Sequence, residues 1–210
     1  MWAGYAAAAV GMLVFVPQLV KLFRDHAAAG VSVMSWLVMA CAVGLWLTYA
    51  VRISSGPQIV ANVLPLLGAL WVSIVASRAQ QTFPPLPKLL LYVVLVTAFW
   101  CVFAFVVPAV AAGWTAGLLT VASRVPQISD SVKTFRAGTV SDVSLLSAWL
   151  WTGAALLWTV YGLGAADMPV IWVNAVFAVA NVAVIGLELG ARRKARSTVA
   201  PTVGESFSPL

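Results

Sequence analysis

The sequence predicts an all-α integral membrane fold: seven transmembrane helices forming two parallel three-helix bundles joined by a linker helix. Composition, the lengths of the apolar runs and an internal repeat carry that expectation. Of 210 residues, 62% are hydrophobic and 9% charged, and the mean hydropathy is +1.00. A soluble domain typically carries about a quarter of its residues as charge, so this chain lacks the means to cover a water-facing surface.

A helix crossing a bilayer needs about 20 apolar residues. Seven runs qualify: 2–23, 31–53, 57–77, 88–108, 110–133, 140–164 and 168–190. The first has no Lys or Arg ahead of it, which is unlike a cleaved leader. Pro57 and Pro169 stand where the third and seventh spans begin, a position where a missing N–H is not needed. The Gln80–Pro87 connector is stiffened by three prolines. The chain thus divides into a first repeat (1–78), a linker with the fourth span (79–109), a second repeat (110–190) and a polar cytoplasmic tail (191–210) expected to be disordered.

The repeat is one of polar and aromatic markers. Pro17, Gln18 and Ser35 recur 109 residues later as Pro126, Gln127 and Ser144. Trp46, Tyr49, Pro57 and Asn62 recur 112 residues later as Trp158, Tyr161, Pro169 and Asn174, so one three-residue insertion reconciles the copies. Each copy holds three spans, an odd number, and the unpaired fourth span restores the direction of the second copy. The halves are therefore expected to run parallel around a shared site.

Charge gives orientation. Lys21, Arg24, Arg78, Lys88, Lys133, Arg136, Arg192, Arg193, Lys194 and Arg196 fall on one side of a seven-span chain, Arg52 falls on the other, and Arg124 lies within a span. The positive-inside rule puts the N-terminus outside and the C-terminus in the cytoplasm, most simply in a prokaryotic plasma membrane. The net charge of +6 then reads as topology and as attraction to anionic lipid, and no nucleic-acid partner is expected.

Composition also bounds the chemistry. Cys41 and Cys101 lie in separate apolar runs and read as buried thiols rather than a disulfide. His26 is the single histidine, no ligand cluster suits a metal, and no lysine in the seventh span could hold a retinal. No cofactor and no enzymatic activity are expected.

Depth assembles the candidate binding residues. Trp46 and Asn62, counted from Arg52 and Pro57, both lie about 8–9 Å below the outer helix ends, and Trp158 and Asn174 lie at the same level. Two indoles and two carboxamides in one layer offer flat apolar faces for C–H surfaces and neutral donors and acceptors for hydroxyls. That combination suits a sugar, while an aromatic belt and interhelical amide bonds are the plainer alternatives. Pro17 and Pro126 fall inside the first and fifth spans and free the carbonyls of Leu13 and Ala122. With Gln18 and Gln127 they are candidate hinges for alternating access. Pro57-Gln58 repeats the dipeptide at a helix start and is treated as a decoy. Arg124 and Asp130, which stand where the first copy has Phe15 and Lys21, are candidates for an ionic site. Asn181 has no partner in the first copy, where Ala69 stands.

These markers resemble the PQ-loop superfamily, and most closely its SWEET and SemiSWEET sugar-transporter branch. The resemblance rests on VPQLVKLFRDHAAAGVSVMSW, GLWLTYAV and Asn62 in one copy. In the other it rests on VPQISDSVKTFRAGTVSDVSLL and LLWTVYGLGAADMPVIWVN. It covers about two thirds of the chain, leaving out the fourth span and the tail. It implies facilitated sugar movement through a central site walled by Trp46, Asn62, Trp158 and Asn174, with Pro17, Gln18, Pro126 and Gln127 as hinges. Plant members also carry prolines on the second and sixth spans, which are absent from 30–55 and 138–166 here, so a bacterial-style relative fits better. Ser123–Gln127 is similar to the lysosomal amino-acid branch, but the sixth span has no acid between Val143 and Gly164 for proton coupling.

The expected function is passive transport of a small neutral sugar by alternating access. The alternatives are an amino-acid carrier using Arg124 and Asp130, or a non-transporting membrane receptor or scaffold. The expected partners are a small-molecule solute and membrane lipid. A homo-oligomer is compatible with the pattern, although two repeats make a monomer sufficient.

Overall fold

The computed structural model describes residues 1–24, 33–139 and 144–199, and the side chains of 14–24, 35, 93, 126 and 196–199 fall outside that description. The described residues are helical and include no strand. The elements are α1 (Trp2–Arg24), α2 (Val33–Arg52), α3 (Gly56–Ala79) and α4 (Leu86–Cys101), which runs into a π-helical turn (Val102–Val106). α5 (Ala109–Ala122), α6 (Val125–Ala137), α7 (Leu145–Ala165) and α8 (Met168–Val199) follow. Gly56–Ala79, Leu86–Val106, Leu145–Ala165 and Met168–Ala195 are long and apolar enough to cross a membrane.

Three expectations need correction. The fifth span is not one kinked helix over 110–133. The chain leaves the helix after Ala122 and restarts at Val125, with Pro126 in the first turn of α6. Starting a new helix places the missing N–H where no bond is required, which costs less than a proline in mid-helix. The tail is helical through Val199 rather than unstructured from 191, and residues 200–210 lie outside the described residues. Cys101 is exposed and Cys41 half-buried, so they are not two interior thiols, and neither forms a disulfide.

The turns that end α2 and α7 are copies of each other. Ser54 and Ala166 take left-handed backbone, with φ of 54° and 53°. One residue on, the Ser55 N–H reaches the Ala50 carbonyl (2.9 Å) and the Asp167 N–H reaches the Gly162 carbonyl (2.9 Å). Both pairs satisfy carbonyls that a helix end leaves open. The repeated serine is local too: the Ser144 hydroxyl accepts the Ser147 N–H at 3.3 Å and caps α7.

Helix packing follows the repeat. α3 touches α1 and α2, and α8 touches α5 and α7. Across the halves, α1 packs on α7 and α2 on α5, while α6 lies against α8. Small residues fill the contacts: Ala7, Ala69, Ala76, Ala112 and Ala116 are fully buried, whereas Leu67, Trp71, Leu95, Phe105 and Val179 face outward. Lipid is as apolar as leucine, so close backbone approach, rather than burial of large side chains, holds such helices together. α4 is exposed along its length and is seated through Trp100 in the notch left by Gly44. Arg52 donates to the carbonyls of Phe103 and Val107, capping the π-helical turn; this is the use made of the one cation that broke the charge pattern.

Two glycines at equivalent positions of the repeats permit close crossings between the halves. A Cβ on Gly4 would lie 2.7 Å from Pro57 Cβ and 2.8 Å from the Tyr161 ring. At the equivalent Gly113 it would lie 3.1 Å from Tyr49 and 3.2 Å from Pro169. Gly4→Ala should therefore destabilise the protein by roughly 1–3 kcal/mol. Gly153→Ala, whose Cβ meets nothing within 4 Å, should be neutral or slightly stabilising. Thermal unfolding in detergent micelles checks both.

Candidate functional site

A cavity of about 470 Å³ lies between the halves, within the range of small-molecule sites, about 300–1,000 Å³. Helices α1, α2, α3, α5, α7 and α8 contribute to its wall.

One end is closed by a cluster of buried polar groups. Tyr49 donates to Asp167 Oδ1 at 2.7 Å, and Gln58 Nε2 donates to Oδ2 at 2.9 Å. The symmetry-related Tyr161 shares a 2.7 Å hydrogen bond with Ser55. Each tyrosine thus reaches across to the turn of the other half. The Val170 N–H also reaches Asp167 Oδ1 at 3.2 Å, so this carboxylate caps α8 while tying α2 and α3 to it. Ala3 and Val170 pack around the two tyrosine rings.

One turn inward lie the four predicted binding residues, and all of them line the cavity. Trp46 and Trp158 meet their tyrosines edge to face, at centroid distances of 6.0 and 5.5 Å. The Trp46 indole N–H donates to Thr120 Oγ1 at 3.0 Å. Asn62 and Asn174 each give one amide hydrogen to the carbonyl four residues back, Gln58 (2.7 Å) and Val170 (2.9 Å). That bond sets both carboxamides the same way and leaves each oxygen and second hydrogen available to an occupant. Pro65, inside α3, supplies no N–H to the Ala61 carbonyl, and both residues line the cavity.

Further in, Arg124, Trp151 and Phe177 form the wall. Arg124 Nη1 donates to Gln127 Oε1 at 2.8 Å, so Gln127 holds the guanidinium rather than the carbonyl freed by Pro126. The guanidinium lies 4.2 Å from the Phe177 ring centroid and 5.9 Å from that of Trp151. Asp130 is not brought to it: it stands exposed on α6, paired with Lys133 at 2.9 Å. Asn181 is buried, and its Nδ2 has no partner among the described residues. The side chains of Pro17, Gln18 and Pro126 lie outside the described residues.

Sequence reasoning missed Asp167 and dismissed Gln58. An Asp directly ahead of Met168-Pro169 is an N-cap pattern and could have flagged the first. Gln58 looked like a copy of a motif at a helix start, yet it is buried and bonded across the halves. Among the described residues no group of His, Cys, Asp and Glu could hold a metal.

An apolar helical exterior around a central, largely apolar chamber with a few polar groups marks an integral membrane protein. Comparison with known proteins narrows the class. Residues 109–171 match the family model described as the PQ loop repeat. A stretch of 75 residues is 29% identical to the sugar transporter SemiSWEET of Bradyrhizobium diazoefficiens, covering 36% of this chain and 87% of that protein. The chain thus resembles the SWEET and SemiSWEET branch of the PQ-loop superfamily, and the similarity points to a membrane transporter rather than an enzyme.

The two crosswise tyrosine bonds differ in acceptor, which makes their strengths comparable by experiment. Tyr49→Phe removes a bond to a carboxylate and should cost about 1.5–3 kcal/mol; Tyr161→Phe removes a hydroxyl pair and should cost about 0.5–1.5 kcal/mol. Unfolding in micelles should rank them in that order.

Proposed function

We propose that this chain is a passive transporter that carries a small neutral sugar through the central cavity by alternating access. The single observation that carries the reading is the paired Trp/Asn layer. Trp46, Asn62, Trp158 and Asn174 come from two copies of one pattern and line one cavity, with both carboxamides held in the same geometry. Indole faces suit the C–H face of a sugar ring, and amides suit its hydroxyls. The similarity to a protein named as a sugar transporter supports the same substrate class.

In this reading the halves are parallel bundles of three spans each, α1–α3 and α5–α8 with α5 and α6 making up one span, linked by α4. The repeated contacts of α3 and α8 with their neighbours support that arrangement. The tyrosine cluster closes the outer end, with the N-terminus outside and the basic end of α8 in the cytoplasm. Opening requires Tyr49 and Tyr161 to release Asp167 and Ser55. The break between α5 and α6 just ahead of Pro126-Gln127, and Pro17-Gln18 within the continuous α1, supply the hinges. No carboxylate lies in the Trp/Asn layer among the described residues, which favours transport without proton coupling.

Reconstituted in liposomes, the protein should give counterflow of radiolabelled glucose or a disaccharide that is insensitive to an imposed pH gradient. Asn62→Ala and Asn174→Ala should each lower that flux about tenfold, the equivalent of about 1.4 kcal/mol of lost binding. Flux of amino acids but of no sugar would overturn the reading.

A further inference from the structure

We infer that the inner part of the cavity is a carboxylate subsite centred on Arg124, so that the site accepts acidic sugars (uronates or aldonates) alongside neutral ones. The inference rests on the sugar reading of the cavity.

Three observations converge on it. First, Arg124 lines the cavity as a cation without a carboxylate partner among the described residues. The acids among the described residues are occupied elsewhere: Asp130 with Lys133, Asp167 with Tyr49 and Gln58, and Glu188 with Ser131. The rings of Phe177 and Trp151 steady the guanidinium, but an aromatic face does not cancel its charge. Second, the donors are unequally used. Nη1 is given to Gln127, whereas Nε is buried and has no partner among the described residues. A guanidinium with a donor to spare matches the two oxygens of a carboxylate. Third, Arg124 is the N-cap residue of α6, a helix of 13 residues whose positive end adds to the side chain's own field.

Position then selects the kind of carboxylate. Arg124 follows Thr120 by one helical turn on α5 and its extension, about 6 Å along the axis, and Thr120 is bonded to Trp46 of the indole layer. Phe177 follows Asn174 by three residues on α8. An acid bound at Arg124 would place the rest of its molecule against the Trp/Asn layer, where hydroxyls are served and charges are not. An amino-acid zwitterion would bring its ammonium charge to a wall that offers neutral amide oxygens but, among the described residues, no carboxylate. A polyhydroxylated acid uses both layers.

The test is equilibrium binding by calorimetry to the purified full chain in micelles, with glucose, glucuronamide and glucuronate as ligands. Glucuronamide matches glucuronate in shape and lacks its charge. Glucuronate should bind at least tenfold more tightly than glucuronamide. Arg124→Gln should shrink that ratio at least tenfold, and Arg124→Lys, which keeps the charge without the fork, should retain part of it. Should Arg124→Gln fail to fold, the two ligands on the unmodified protein still decide. Equal affinities for the amide and the acid, with either binding measurably, overturn the subsite and leave the sugar reading standing. Binding of none of the three overturns the sugar reading and the subsite with it.

Discussion

Each half of this molecule is completed by a hydrogen bond from the other. Tyr49 reaches Asp167 and Tyr161 reaches Ser55, so the turn of one repeat is the hydrogen-bond partner of the tyrosine of its copy. That crossing is possible because Ser55 and Asp167 occupy the same place in two identical turns, directly after a left-handed residue. It also requires glycine at positions 4 and 113, where α1 and α5 pass close to the prolines and tyrosines. In lipid the apolar surface supplies little net attraction between helices, so directional bonds between buried polar groups and close backbone contact must do the joining. With one end joined this way, the space further in stays open as a chamber.

The frame is symmetric, but the lining is not. Gln58 and Pro65 of α3 correspond to Val170 and Phe177 of α8, and Asp167 corresponds to Ser55. A single chain holding both repeats can place a carboxylate at one turn and a hydroxyl at the other. Two identical copies of one repeat could not. The first half thus contributes Gln58, Ala61 and Pro65 to the cavity wall, and the second contributes Arg124 with its two aromatic supports. Walls of this kind present different chemistry to the two ends of the chamber.

This division explains what could be read from the sequence. Trp46, Asn62, Trp158 and Asn174 announced themselves because identity between copies is visible as spacing, and depth followed from counting residues along each helix. Asp167 has no copy, so a search for repeated markers passed over it, although its cap position was readable. Gln58 was hidden by its partner, which lies 109 residues away in sequence and only 2.9 Å away in space. The break before Val125 depends on whether the chain bends at a proline or begins again there. Residue identity permits both outcomes; in the fold the chain begins again at Val125, and α6 lies against α8. Arg124 stood out as an intramembrane charge, but Asp130, named with it as a candidate ionic site, is not brought to it. α6 instead turns Asp130 outward to Lys133.

A guanidinium at the positive end of a helix, in a cavity with no facing acid among the described residues, is an arrangement that folding alone does not favour. The helix field opposes it, and the buried Nε–H gains no protein acceptor among the described residues. Phe177, Trp151 and the Gln127 oxygen offset part of that cost by fixing the side chain in one place. The same break in α5 that creates the N-terminus of α6 also brings Arg124 to the cavity wall. A continuous helix through Pro126 would leave no helix end there. The local backbone and the charge therefore reinforce each other electrostatically at one point of the chamber, and what relieves both is a negative group supplied from within the cavity.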